Sequence, residues 1–153
     1  MSDRFEGPIE ILHVEDNPGD VRLLRDAFDE SPTAVTIRVA TDGEAAFEEL
    51  GVRNEAGPPS LPHLVLLDLD LPRTDGFEFL ETVRSKPVLA HLPVLVLTDS
   101  EANEDVLESY ELAANAYLTK PTDPDEYGEM VNSVVEFWFE QVMLPPPKTY
   151  QST

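Results

Sequence analysis

Cysteine is absent from the 153 residues. That excludes disulfides and thiolate metal centres, and it agrees with a reducing, cytoplasmic setting. No apolar run nears the ~20 residues of a membrane span. The opening stretch MSDRFEGPIE is acidic and polar, so no signal peptide is expected. Basic residues are scarce: 10 Lys and Arg stand against 31 Asp and Glu, for a net charge of −21. Only Lys86, Lys120 and Lys148 are lysines. Such a field repels nucleic acid and anionic membranes, so neither is expected as a partner. A solvated acidic surface accounts for most of the charge. It also suits a salt-rich cytoplasm, where screening is strong, which makes a halophilic source an expectation. Stability and activity should then rise on going from salt-free buffer to molar KCl; a protein indifferent to the salt contradicts the expectation.

What is present is an alternation of strand and helix signals. Residues 8–14 read as a first strand, and Asn17-Pro18 as an N-cap with proline at the first helical position. Val21, Leu24, Ala27 and Phe28 recur at helical spacing, and Ser31-Pro32 ends that helix. Val35 to Ala40 alternates as a second strand. Thr41-Asp42-Gly43 then caps a helix with Ala45, Ala46, Phe47 and Leu50 inward. Gly51, Gly57, Pro58, Pro59 and Pro62 mark a long loop. Leu64 to Leu69 is nearly all apolar, as a central strand covered on both faces should be. A helix with Phe77, Leu80 and Val83 follows, then a strand over residues 92–97. Val106, Leu107, Tyr110, Leu112 and Ala113 suggest a fourth helix. A short strand over 115–118 comes next, and a last helix carries Tyr127, Met130, Val131, Val134, Val135, Trp138 and Phe139. Five such β-α units make an α/β fold: a doubly wound, five-stranded parallel sheet. One domain over residues 8–143 is expected, with 144–153 as a flexible tail and no output domain.

In such sheets ligands bind beyond the carboxyl ends of the strands. Those ends supply Glu15 and Asp16, Asp68, Thr98 and Lys120. Three clustered carboxylates repel one another unless a cation intervenes, and an all-oxygen donor set selects a hard ion such as Mg²⁺. Lys120 is a point charge suited to a phosphoryl group. Asp68 sits between metal and lysine as a nucleophile toward phosphorus would.

These residues carry a resemblance. Glu15-Asp16, LLDLDLP with Asp68, TDG, LVLT with Thr98 and TKP with Lys120-Pro121 resemble the receiver domain of two-component response regulators. EDNPGD, ANAYLTKP and FWFEQVMLPPP are similar to single-domain regulators that partner phytochrome-type histidine kinases. The resemblance implies a flavodoxin-like receiver fold with strand order 2-1-3-4-5. It implies that Asp68 accepts a phosphoryl group from a kinase phosphohistidine. Asp16, Glu15, Asp68 and the backbone carbonyl of Asp70 would hold Mg²⁺, and Thr98 and Lys120 would bind phosphoryl oxygens. Tyr117 would follow Thr98 inward as a switch residue, and Lys120-Pro121 would be cis. Signalling would run through the helix 4–strand 5–helix 5 face, with homodimerisation there and along the C-terminal extension. Asp70 and Asp99 depart from the family's usual residues and are expected to slow phosphorylation or alter the lifetime of the phosphorylated state.

Other readings stand beside this one. Glu15-Asp16 also suits the dipole of the helix that follows, Thr98 an ordinary strand end, and Tyr117 plain packing. Asp75-Gly76 reads as turn and helix-cap chemistry, and His13, His63 and His91 as structural or surface residues. DLDLP is also similar to the DxDxT/V motif of haloacid-dehalogenase-type phosphohydrolases, but Pro72 stands where Thr or Val belongs. A phosphoacceptor rather than an enzyme with a separate substrate is therefore expected.

Overall fold

Leu64, Val65, Leu66 and Leu67 are all buried, so this segment is covered on both faces. It forms β3, the centre of the sheet. The computed structural model describes residues 9–51, 61–72 and 75–141. The elements run β1 (Ile9–Val14), α1 (Pro18–Asp29), β2 (Val35–Ala40), α2 (Gly43–Glu49), β3 (Leu64–Leu67), α3 (Gly76–Ser85), β4 (Val94–Thr98), α4 (Asn103–Glu111), β5 (Ala116–Thr119) and α5 (Pro124–Val134). All strand pairs are parallel, in the order β2-β1-β3-β4-β5. The expected doubly wound architecture is the observed one.

Alternation along the strands divides the core in two. Leu12, Val14, Val65, Leu67, Val94 and Val96 pack with Phe47, Phe79 and Leu80 of α2 and α3. Ile11, Leu64, Leu66, Leu95 and Leu97 pack with Leu24 and Phe28 of α1 and with Tyr127 and Val131 of α5. Register then aligns the strand ends. Val14 sits opposite Ala40 and Leu67, and Thr98 opposite Thr119. Arg84 of α3 donates to the carbonyls of Leu92 (2.7 Å) and Ala113 (2.9 Å), which steadies the entries to β4 and β5.

Most helix starts follow the sequence signals. Asn17, Asp42, Asp75 and Asp123 cap α1, α2, α3 and α5, each accepting from a backbone N–H of the first turn. The boundaries of β4 and β5 shift C-terminally by one or two residues relative to the sequence reading. Two features go beyond the sequence reading. In α4 only Ser109 is buried, while Leu107 is 62 % and Tyr110 50 % exposed. The spacing correctly marked a helix, but periodicity does not say which apolar residues face the sheet. The last helix does not continue as an α-helix to Phe139. It widens into a π-helical stretch over Val135–Gln141, which buries Val135 and Phe139 and leaves Phe137 outside. The 144–153 tail and the centre of the 51–62 loop lie outside the described residues.

Gly76 is more than turn chemistry. A Cβ there would stand 2.6 Å from Leu69 Cα and 2.7 Å from the carbonyl oxygen of Asp68. The backbone of α3 therefore rests directly on the segment that carries Asp68, and Gly76 N–H donates to Leu69 O at 3.0 Å. Gly76→Ala should cost about 2–3 kcal/mol and lower Tm by roughly 5–10 °C, because main chain on both sides must move. Thermal unfolding checks this; an unchanged Tm contradicts the close approach.

Candidate functional site

The ends of β1, β3, β4 and β5 meet at one edge of the sheet. Three backbone hydrogen bonds set the placement. Glu15 N–H donates to Ala40 O (2.9 Å), Asp68 N–H to Val14 O (3.0 Å) and Lys120 N–H to Thr98 O (2.8 Å). Glu15, Asp68 and Lys120 are thus each the first residue past the regular ladder, and Thr98 is the last residue within β4.

Glu15, Asp68, Thr98 and Lys120 are all buried, and Asp16 is exposed at the rim. Carboxylate oxygens of Glu15, Asp16 and Asp68 lie within 4.8 Å of one another. Lys120 Nζ is 2.8 Å from Glu15 Oε1, 3.0 Å from Asp20 Oδ2 and 3.3 Å from Asp68 Oδ2. Three carboxylates around one ammonium leave an excess of negative charge. The lysine and one carboxylate therefore both hold protons more tightly than usual. Burial pushes the Glu15 carboxyl up to about 8; the Lys120 hydrogen bond opposes this, and the neighbouring Asp68 adds to it. For Lys120, burial works toward loss of the proton, but the bonds to Glu15 and Asp20 and the charge of Asp68 outweigh it, so its affinity for the proton is raised.

Thr98 Oγ1 is buried and has no hydrogen-bond partner among the described residues. An unsatisfied buried hydroxyl costs about 1–3 kcal/mol. An oxygen-rich ligand at this edge would satisfy it. Asp68 Oδ1 accepts from Asp70 N–H at 3.2 Å, while the Asp70 side chain and Asp99 are exposed.

Tyr117 stands apart from the carboxylates. Its hydroxyl donates to Ser100 O at 2.8 Å, in the loop between β4 and α4. Ser100 Oγ in turn donates to Asp105 of α4. Burial raises the Tyr117 phenol above its ordinary value, so it stays a donor. The Lys120–Pro121 peptide is trans, against the expectation of cis. Trans is the ordinary ground state for an X–Pro bond. In it Lys120 reaches all three carboxylates.

Two residues of the site were not foreseen. Asp20, in the first turn of α1, contacts Lys120, and its other oxygen accepts from the Tyr127 hydroxyl of α5 at 3.0 Å. Asp20 lies within the EDNPGD run but reads as a first-turn acid, and Tyr127 reads as core. Their meeting depends on α1 and α5 sharing one face of the sheet. The histidines are structural or surface residues, as expected. His13 is buried, and burial together with the Lys120 charge lowers it to about 4, so it is neutral at pH 7. His63 Nδ1 accepts from Glu10 N–H at 3.0 Å.

A family model, the response regulator receiver domain, matches residues 11–132. The chain belongs to the response regulator receiver family. Response regulator Rcp1 of Synechocystis sp. is 40% identical to this receiver over 145 residues, which is 95% of this chain and 99% of that protein. The probable methanogenesis regulatory protein FilR2 of Methanothrix harundinacea is 37% identical over 142 residues, 93% of this chain and 91% of that protein. Solved structures agree. The phosphorylated cyanobacterial phytochrome response regulator RcpA superposes on the receiver with a TM-score of 0.84 at 36% identity, covering 92% of this chain and 100% of that one. The Mn(2+)-bound form of Rcp1 gives 0.81 at 40% identity, covering 91% and 100%.

The acidic trio fits a divalent cation. It offers only hard oxygen donors, it has one exposed member, and its crowded charge favours an ion that displaces a proton. Among the described residues no helix is long and apolar enough to cross a membrane.

Proposed function

We propose that this receiver takes a phosphoryl group from the phosphohistidine of a histidine kinase onto Asp68. The observation that carries the reading is the buried Asp68 carboxylate beside Lys120, with Glu15 and Asp16 next to it and an unsatisfied Thr98 hydroxyl at the same edge. An Asp68 oxygen attacks phosphorus, the P–N bond to the kinase imidazole breaks, and the imidazole leaves with the electron pair and takes up a proton. Lys120 and Thr98 receive the phosphoryl oxygens. Glu15, Asp16, Asp68 and the Asp70 carbonyl would hold Mg²⁺, which supplies neutralising charge for those oxygens. The exposed acids Asp70 and Asp99 add negative potential and slow the step. Similarity to the phytochrome response regulator RcpA supports a phytochrome-type kinase as the donor.

The chain acts as a phosphoacceptor, not as a phosphohydrolase. In the phosphohydrolase motif the second aspartate is a general acid. Here it is the Asp70 N–H that contacts Asp68, while the Asp70 carboxylate is exposed, which supports the phosphoacceptor reading. The work is done in the cytoplasm, and the acidic surface supports a salt-rich one.

The test is incubation with a small phosphodonor and Mg²⁺, followed by intact mass. One labile phosphoryl group per chain is expected, and none when Mg²⁺ is chelated. Uptake that ignores Mg²⁺, or steady turnover of a small phosphate ester, would overturn the reading.

The output surface in this reading is α4-β5-α5, with the segment after α5. Leu107 and Tyr110 on α4 and the half-exposed Phe137 support a homodimer there. Phosphorylation should raise dimer content in sizing experiments. Leu107→Glu with Tyr110→Glu should weaken association at least tenfold and leave phosphoryl uptake intact. An unchanged dimer content in that variant would move the interface elsewhere.

A further inference from the structure

Lys120 has three N–H donors and three carboxylate acceptors, and the three acceptors are not equivalent. Glu15 and Asp68 belong to the acidic trio that fits a divalent cation. When the cation binds, both have a second positive partner. Asp68 changes again when it becomes an acyl phosphate. Asp20 is outside the trio and belongs to a different element, the first turn of α1.

Asp20 is also the acceptor whose orientation is fixed from elsewhere. Its Oδ2 faces Lys120 Nζ at 3.0 Å and its Oδ1 accepts from Tyr127 at 3.0 Å. Tyr127 is fully buried in the α1/α5 core, so its hydroxyl cannot follow solvent. Both oxygens of Asp20 are thereby assigned, one to β5 and one to α5. A carboxylate in the first turn of α1 is also favoured by the helix dipole. Lysine is long and flexible, and once Glu15 and Asp68 are engaged by a cation, Asp20 is the one remaining contact of Nζ among the described residues.

We propose that Asp20, oriented by Tyr127, is a positioning residue that keeps the Lys120 ammonium beside Asp68 when the other two carboxylates turn to the metal and the phosphoryl group. The proposal rests on the phosphoacceptor reading. It goes beyond that reading by assigning a fourth acidic residue and a buried tyrosine to the step. It also ties the lysine to α5, the helix that borders the output surface. The alternative is that Asp20 only complements the α1 dipole and makes a static ion pair. That alternative predicts a loss of stability and nothing more.

The experiment compares wild type, Asp20→Asn, Tyr127→Phe and the double variant. The first readout is the Lys120 ammonium signal in ¹H–¹⁵N NMR, with and without Mg²⁺, and it needs no phosphorylation. Wild type should keep a slowly exchanging signal in both conditions. Asp20→Asn should keep it without Mg²⁺ and lose it with Mg²⁺. The second readout is phosphoryl uptake on Asp68 from a small phosphodonor at saturating Mg²⁺. Asp20→Asn should be roughly tenfold slower and Tyr127→Phe about threefold slower, the scale of a lost charge-assisted hydrogen bond. The double variant should be no slower than Asp20→Asn, because Tyr127 acts only through Asp20. A persistent Lys120 signal in Mg²⁺-loaded Asp20→Asn, wild-type uptake, or additive effects would each overturn the proposal. Should Asp20→Asn not fold, Tyr127→Phe carries the test with both readouts; a wild-type signal and rate there overturn it equally. If wild type itself gains no phosphoryl group on Asp68, the phosphoacceptor reading falls, while the NMR comparison still decides whether Asp20 holds the lysine.

Discussion

An Asp68→Asn variant should fold and yet take up no phosphoryl group, with uptake lower by at least ~10⁴-fold. The two halves of that result have separate causes. Uptake fails because a carboxamide oxygen is a far weaker nucleophile than a carboxylate, and no other carboxylate occupies the same place. Glu15 is buried against Lys120, and Asp16 and Asp70 are exposed. Folding survives because asparagine has nearly the same shape, and the substitution removes charge from a crowded site. With the Asp68 charge gone, one of the influences that raise Glu15 disappears, and Glu15 ionises more readily against Lys120. Stability of the metal-free variant should therefore equal or exceed that of wild type near neutral pH. Denaturant unfolding and intact-mass kinetics measure the two halves independently. A variant that unfolds, or one that is still phosphorylated at an appreciable rate, contradicts the placement of Asp68.

Binding of Mg²⁺ near pH 7 should release close to one proton, because the folded protein holds the Glu15 proton up to about pH 8. The sign follows from linkage. Below the ordinary carboxyl pKa, near 4.5, Glu15 is protonated both folded and unfolded. Between that value and about 8 only the folded state keeps the proton. The unfolded state then binds fewer protons, so the stability of metal-free protein falls as pH rises through this window, by the order of a few kcal/mol. Above it both states are ionised and the loss is complete. A divalent cation replaces the proton, so the decline should flatten at saturating Mg²⁺. Apparent affinity should rise by up to tenfold per pH unit until about pH 8 and then level off. Lys120 does not interfere, since its raised proton affinity keeps it charged throughout this range. Calorimetric titration in two buffers of different ionisation enthalpy counts the protons. Release of none at neutral pH would contradict a protonated Glu15.

How much of this was legible in the sequence depends on the distance over which each feature is encoded. The strands and the edge they share were legible because burial on both faces writes an apolar run, as in Leu64–Leu67, and the chemistry stands directly after it at Asp68. The caps were legible for the same local reason: Asn17, Asp42 and Asp123 act within three residues of themselves. The Asp20–Tyr127–Lys120 chain was not, since Asp20 is about 100 positions from both Lys120 and Tyr127 and meets them only through the packing of α1 on α5. Nor was the turn of α4. Its spacing marks a helix, but whether Leu107 and Tyr110 face the sheet or the solvent depends on the orientation of the whole element. Gly76 was half legible: the sequence shows a cap at Asp75, while the contact with Leu69 and Asp68 belongs to tertiary approach.

The most direct test is to locate the phosphoryl group. The protein is charged with a small phosphodonor and Mg²⁺, the acyl phosphate is reduced with borohydride, and the peptides are mapped by mass. The account predicts conversion of one aspartate to homoserine, at Asp68 alone, in the peptide that contains HLVLLDLDLP. Conversion at Asp16, Asp70 or Asp99 instead, or a stable phosphate on a hydroxyl residue with Asp68 unmodified, would contradict it.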